Sequence, residues 1–210
     1  MSEEQGPRAA RGRPSLSEVK RREVRLEIAC AAVELFRVHG VEQTSAAEIA
    51  EAAGMSLRTL WRYIPSKEEA LTALFTMVVE GLAVHLRSWS QTEPVDHRII
   101  TDGEQEHMTP RLRKALKEAT RLTRTEPGLR KVAMQASFEF HTSIAAAFAA
   151  RAGRSQANLD DKIHSAMLLA MLNVTDQESA WSDKDDEESR RKLIDHALHT
   201  VVAGLPLQGT

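Results

Sequence analysis

Gly54-Met55-Ser56-Leu57-Arg58-Thr59-Leu60-Trp61-Arg62-Tyr63-Ile64-Pro65 is the stretch on which the fold turns. Gly54 permits a tight turn, Ser56 can cap a helix start, and Pro65 stops the two turns that begin at Leu57. On a wheel of 100° per residue, Leu57, Leu60, Trp61 and Ile64 fall on one side, and Arg58, Thr59, Arg62 and Tyr63 on the other. So short a helix is not stable alone, so its apolar side has to pack on the helices before it. The other side then presents two guanidiniums, a hydroxyl and a phenol. Arginine can pair bidentately with guanine O6 and N7, threonine can meet a thymine methyl, and tyrosine can reach a phosphate or a base edge. A solvated surface helix that happens to hold two arginines is the bland alternative, and the segment taken by itself does not decide between them.

The surrounding punctuation does. Upstream, from about Leu16 to His39, the apolar positions Val24, Ile28, Ala31, Ala32 and Leu35 recur at helical spacing, and Gly40 follows where a left-handed C-terminal residue belongs. Ser45 with Glu48 forms a capping box and opens a short helix to Ala53. Ser66 with Glu69 forms a second box and opens a long helix to about Trp89. Between Gln91 and Pro110 the periodicity fails around Pro94, Asp102 and Gly103, which predicts a loop. Helices are then predicted over Arg111 to Glu126, Pro127 to Arg151, Asn158 to Trp181 and Asp186 to Ala203. There is no alternating strand pattern and no internal repeat, so the expected fold is all-α.

Composition bounds the function. The 210 residues are 42% hydrophobic, 28% charged and only 4% aromatic, which implies a core of Ala, Leu, Val, Ile and Met, and that palette favours helices. Net charge is −2, too little to coat nucleic acid by bulk attraction, yet Arg8 to Arg25 holds seven bases against two acids. Residues 1–15, with Gly6, Pro7, Gly12 and Pro14 among arginines, read as a flexible basic arm. The lone Cys30 excludes an internal disulfide, and the N-terminus has no basic-then-apolar signal segment, so a cytoplasmic location is expected. The longest apolar runs, Ile144 to Ala150 and Ala166 to Leu172, fall short of the roughly 20 residues that span a bilayer, so no membrane helix is expected.

The ordered set Ala31-Ala32-x-x-Leu35-Phe36, Gly40, Thr44-Ser45, Ile49-Ala50, Ala53-Gly54-Met55-Ser56, Thr59 to Ile64 and Pro65-Ser66-Lys67-Glu68 resembles the DNA-binding domain of the TetR family of transcriptional regulators. The likeness spans Leu26 to Leu71, about a quarter of the chain. It implies an N-terminal three-helix helix-turn-helix domain over 16–66 and a C-terminal helical effector-binding and dimerisation domain over 67–210. It implies that Thr44 and Ser45 touch phosphate at the start of the second helix, where free N–H groups favour anions. Thr59, Trp61, Arg62 and Tyr63 would lie in or beside the major groove, and Lys67 would grip phosphate. Arg58 stands where the family most often has glycine, adding a donor, and Trp61 where tyrosine is common, leaving only an indole N–H. Arg11-Gly12-Arg13-Pro14 resembles the short arginine-bearing arms that enter narrow A·T-rich minor grooves.

The C-terminal half carries no sharp motif. Ala166 to Val174 is apolar nearly all round, and Leu193, Ile194, Ala197, Leu198, Val201 and Val202 form a stripe broader than one neighbour needs. The expected homodimer interface therefore comprises Met167, Leu168, Met171, Leu193, Ala197 and Val201, arranged as a four-helix bundle about a two-fold axis. Met77, Trp89, Met134, Phe138, His141 and Met171 are candidates to line a pocket for a small apolar effector, although plain core is the simpler role for any one of them. The expected partners are double-stranded operator DNA, that effector and a second copy of the chain, with no cofactor. The rival readings are a helix-turn-helix activator and a helical-bundle enzyme with a histidine-based metal site. His196 with His199 and Asp160 with His164 could each share a helix face, but neither pair has a third ligand at helical spacing. No phosphate-cradling glycine loop or Gly-x-Ser-x-Gly elbow is present.

Overall fold

The computed structural model describes residues 16–89, 96–182 and 186–203. Among them the secondary structure is helical: α1 (Leu16–His39), α2 (Ala46–Ala52), α3 (Leu57–Leu60), a 3-10 turn (Glu68–Leu71), α4 (Thr72–Ser88), α5 (Arg98–His107), α6 (Pro110–Leu122), α7 (Pro127–Arg151), α8 (Leu159–Trp181) and α9 (Glu187–Ala203). The all-α expectation holds, with no strand among the described residues.

Two apolar cores organise these helices. The first joins Ile28, Ala32 and Phe36 of α1 to Ile49 and Ala50 of α2 and to Leu60 and Ile64, and continues through Leu71, Leu74 and Met77 to Ala115, Ala119 and Leu129. The N-terminal head is thus seated on the starts of α4 and α7 and on α6. The second core holds Val79, Leu82 and Leu86 of α4 against Ile144 of α7, Leu168, Leu169 and Leu172 of α8, and Ile194 and Leu198 of α9. Since α4 contributes to both, displacement of α4 by the second core is felt in the first. Residues Glu68–Ser88 are long and apolar enough to cross a membrane by length and composition, and just over half of that run is buried within the chain itself.

The expected loop before Pro110 contains a helix. Ile99 and Ile100 of α5 are buried beside Trp89, and a Cβ on Gly103 would lie 3.0 Å from His85 Cβ, so this glycine allows α5 to press on α4. Aspartate and glycine read as breakers here because tertiary packing, invisible to periodicity, holds the helix. His97 N–H donates to Asp195 at 2.8 Å, and Arg190 donates both arms of its guanidinium to Glu104 at 2.7 and 2.8 Å. These pairs pin α5 to α9. The long helix expected from Ser66 instead opens as the 3-10 turn. Ser66 Oγ does accept from Glu69 N–H at 3.2 Å, but the Glu69 carboxylate takes the Thr72 hydroxyl rather than returning to Ser66.

Candidate nucleic-acid interface

The turn between α2 and α3 is built as the sequence requires. Gly54 has φ +67°, its N–H donates to Glu51 C=O and Met55 N–H reaches back to Ala50 C=O, the paired bonds that close a helix through a left-handed residue. Ser56 then caps α3, accepting from Thr59 N–H at 3.2 Å. After Leu60 the bonds Tyr63 N–H to Leu60 C=O and Ile64 N–H to Leu60 C=O carry the turn on to Pro65, so the expected two turns are present although regular helix covers only the first.

Leu60 and Ile64 are buried and anchor the segment in the first core. The wheel is rotated from its expected setting: Leu57 is 42% exposed and Trp61 46%, whereas Thr59 and Tyr63 are half-buried on its flank. Two aliphatic residues one turn apart suffice to hold so short a helix, and Tyr63 lies against the same core, which turns Leu57 and Trp61 outward. The outer face thus comprises Leu57, Arg58, Trp61 and Arg62. Neither guanidinium has a hydrogen-bond or ion-pair partner among the described residues. Two unpaired cations beside two exposed apolar side chains are a surface that gains from a partner. Leu57 escapes a sequence reading of the site because its place on the wheel is that of an anchor. The available signal is its position just after the cap, where recognition helices meet base edges.

Three expected phosphate contacts have other partners. Thr44 is 1% exposed and its hydroxyl donates to Gly40 C=O at 2.8 Å, closing the end of α1, so it lies beneath the surface. Ser45 is exposed, but its N–H and its hydroxyl both donate to Glu48, at 2.7 and 2.8 Å. Those two bonds hold the Glu48 carboxyl below its usual range. The capping box and a phosphate contact compete for the same donors, and here the box takes them. Lys67 Nζ donates to the carbonyls of Val41 at 2.6 Å, Thr44 at 3.0 Å and Glu42 at 3.3 Å, which cinches the turn between α1 and α2. All three ammonium protons are therefore engaged.

Lys67→Met removes these three bonds and leaves carbonyls without their donor. We expect it to lower stability by about 1–3 kcal/mol in chemical denaturation. We also expect the salt slope of DNA binding to be unchanged, whereas removal of a phosphate-binding cation would reduce it by about one. Arg11 and Arg13 lie outside the described residues.

The expected effector residues do not come together. Met77 is buried in the first core, and Trp89 and Met171 in the second; Met134 and Phe138 are exposed, the latter at 81%, and His141 is half-buried. Met134 and Phe138 line an open hollow on the outer face of α7 with Pro127, Arg130, Lys131 and Gln135. A second, more enclosed cavity of about 70 Å³ lies between α4, α6, α7 and α8, against Phe75, Val78, Leu116, Ser137, Leu169 and Asp176. None of the six expected residues lines it. Methionine and aromatic content marks adaptable packing, and for Met77, Trp89 and Met171 that packing is core.

The expected dimer residues also divide. Leu168 and Met171 are buried in the chain's own second core, while Met167, Leu193, Ala197 and Val201 are half-buried. The outward side of α8 carries Ile163, Ala166, Ala170 and Val174 instead, spaced three, four and four apart. Cys30 is buried, and burial pushes its thiol above the usual range. His196 and His199 are exposed on α9, and Asp160 and His164 on α8.

Residues 28–74 match the family described as bacterial regulatory proteins, tetR family. The HTH-type transcriptional regulator TcmR of Streptomyces glaucescens is 28% identical over 171 residues, which cover 77% of this chain and 73% of TcmR. Among solved structures, the fatty acid degradation regulator FadR of Bacillus halodurans is similar, with a TM-score of 0.56 and 19% identity over 88% of this chain and 97% of that one. Thermus thermophilus FadR, a TetR-family transcriptional repressor solved with lauroyl-CoA, has a TM-score of 0.53 and 20% identity over 89% of this chain and 97% of its own. These two likenesses carry the fold over 88% and 89% of the chain, and the family match falls on the part that bears α1 to α3.

Proposed function

We propose that the chain, whose residues 28–74 match the tetR family of bacterial regulatory proteins, is a DNA-binding transcriptional regulator, a homodimeric repressor released from a palindromic operator by a small ligand. The observation that carries the DNA reading is α3, held by Leu60 and Ile64 and presenting unpaired Arg58 and Arg62 beside exposed Leu57 and Trp61. The arginines suit guanine edges and the apolar pair suits thymine methyls. Thr59 and Tyr63, half-buried, border that face. Such a regulator works where the chromosome lies, in the cytoplasm.

The dimer reading is supported by α8. One side fills the second core and the other leaves Ile163, Ala166, Ala170 and Val174 uncovered, a stripe that a second copy can cover about a two-fold axis. Met167 of α8 and Leu193, Ala197 and Val201 of α9 flank it. Two heads related in this way meet half-sites about 34–36 Å apart or a multiple of that distance. Selection of bound DNA from a random pool tests this: recovered palindromes at such spacing support it, and single unpaired half-sites contradict it. A promoter fusion carrying the selected site separates repression from activation.

The effector reading is supported by the cavity between α4, α6, α7 and α8. Its volume is far below the roughly 300 Å³ of an ordinary ligand site, so a larger occupant has to part the helices. Parting them moves α4, which also belongs to the core of the DNA-binding head. Ligand and DNA then oppose each other by one coupling free energy.

The basic arm offers a second way to hold DNA, through Arg11 and Arg13. Deleting residues 1–14 is expected to weaken operator binding and flatten its salt dependence by about one unit of slope for each phosphate that the arm neutralises. An unchanged slope in a salt titration removes the arm from the interface.

A further inference from the structure

We propose that the effector carries a protonated nitrogen, seated on Asp176 inside the enclosed cavity, behind an apolar body received by the walls of α4, α6 and α8. The proposal rests on the effector reading above and narrows it from an apolar molecule to an amphiphilic cation.

The cavity's apolar lining includes Phe75 and Val78 of α4, Leu116 of α6 and Leu169 of α8. Asp176 is the charged residue of that lining, with neutral Asn173 and Gln177 on the same helix beside it. The cation nearest to Asp176 is already committed. Arg190 of α9 places both arms of its guanidinium on Glu104 of α5, at 2.7 and 2.8 Å, and gives Asp176 one longer contact at 3.4 Å. Two carboxylates thus share one guanidinium, the shorter bonds go to Glu104, and no other hydrogen bond reaches Asp176 among the described residues. Arg121 donates to Ala180 C=O and to Glu118, and the charged groups that act on the Asp176 carboxyl are Arg190 and Glu104.

The side chain of Asp176 keeps 31% of its surface reachable, and the residue is part of the cavity lining. Burial pushes its carboxyl up to about 6, against the pull of Arg190 and with the push of Glu104. Near neutral pH it is therefore an under-compensated anion in a largely apolar wall. An ammonium brings the missing charge and donors, a neutral isostere brings fewer, and an anion adds a third negative charge to the cluster. Asn173 and Gln177 are bonded to each other at 2.9 Å, which leaves the Gln177 carbonyl as a second acceptor for the same nitrogen.

The test uses the full chain at about pH 8, where the carboxylate is ionised and a primary amine is still protonated. Benzylamine, benzyl alcohol and benzoate are titrated by calorimetry, each with a parallel measurement of operator release. We expect benzylamine to bind about ten-fold or more tightly than benzyl alcohol, with benzoate weakest. Asp176→Asn should erase that preference. Should Asp176→Asn fail to fold, Ala133→Leu, which fills the cavity from α7 and leaves the carboxylate in place, is expected to abolish benzylamine binding. Equal or better binding of the alcohol or the benzoate, a preference that survives Asp176→Asn, benzylamine binding unaffected by Ala133→Leu, or no binding of any probe overturns the proposal. Release of the operator by the alcohol or the benzoate overturns the cation while leaving the effector reading intact. Asp176-dependent binding of benzylamine without operator release upholds the site and counts against ligand-released repression.

Discussion

Ala170→Glu is expected to convert the protein from dimer to monomer and to lower operator affinity by about 100-fold or more, with each head still folded. Ala170 is exposed at the middle of the uncovered stripe of α8, between Ala166 and Val174, so a longer side chain there disturbs nothing within one chain. Across a two-fold axis the same patch meets itself, and two carboxylates would face each other in an apolar seam. The loss at the operator follows from losing the second head. Joining two modules raises avidity by about 10²–10⁴ with no new contact to DNA. Sedimentation velocity reads the first effect and a binding titration the second. A dimer that persists with Ala170→Glu moves the interface off this stripe, and a monomer that binds the whole operator undiminished removes the need for two heads.

Arg62→Ala and Arg58→Ala are each expected to cost about 1–3 kcal/mol at the operator, roughly 5- to 150-fold, and to relax preference at one base pair. Both guanidiniums are exposed, so their removal costs little stability, and the effect falls on recognition. A general loss of affinity with preference intact would instead mark them as phosphate contacts, with a salt slope reduced by about one for each. Leu57 and Trp61 supply the control. Shortening either one leaves the salt slope alone and weakens discrimination at thymine.

The framework of the head is legible in the sequence because its signals are local. A capping serine, a left-handed glycine and a stopping proline each act within a few residues, and together they fix the order of α1, α2 and α3. What requires the structure is orientation and competition for donors. Whether Leu57 or Tyr63 turns inward depends on the shape of the surface made by α1 and α2, which a wheel does not contain. Ser45 is legible as a cap, and the family likeness also assigns it a phosphate, but its hydroxyl accepts from Glu48 N–H as the cap and gives its one proton to the Glu48 carboxylate. Lys67 and Thr44 act through backbone carbonyls of the turn between α1 and α2, contacts to which a pattern of side chains is blind.

The C-terminal half is legible as helices and little further. Ala166 to Val174 is apolar on both sides, so periodicity does not say which side fills the chain's own core. Leu168 and Met171 go inward, and Ile163, Ala166, Ala170 and Val174 outward. The cavity lies where four helices converge from distant parts of the chain, and its distinctive residue, Asp176, resembles any solvated carboxylate until Arg190 and Glu104 are placed beside it.

That the outward face of α3 selects DNA sequence is tested most directly by repeating the random-pool selection with Leu57, Arg58, Trp61 and Arg62 all replaced by alanine. The expected result is a folded dimer, with a melting transition and sedimentation like those of the parent, that no longer enriches any half-site over the starting pool. Recovery of the parent's half-site at undiminished enrichment by that folded dimer would contradict it.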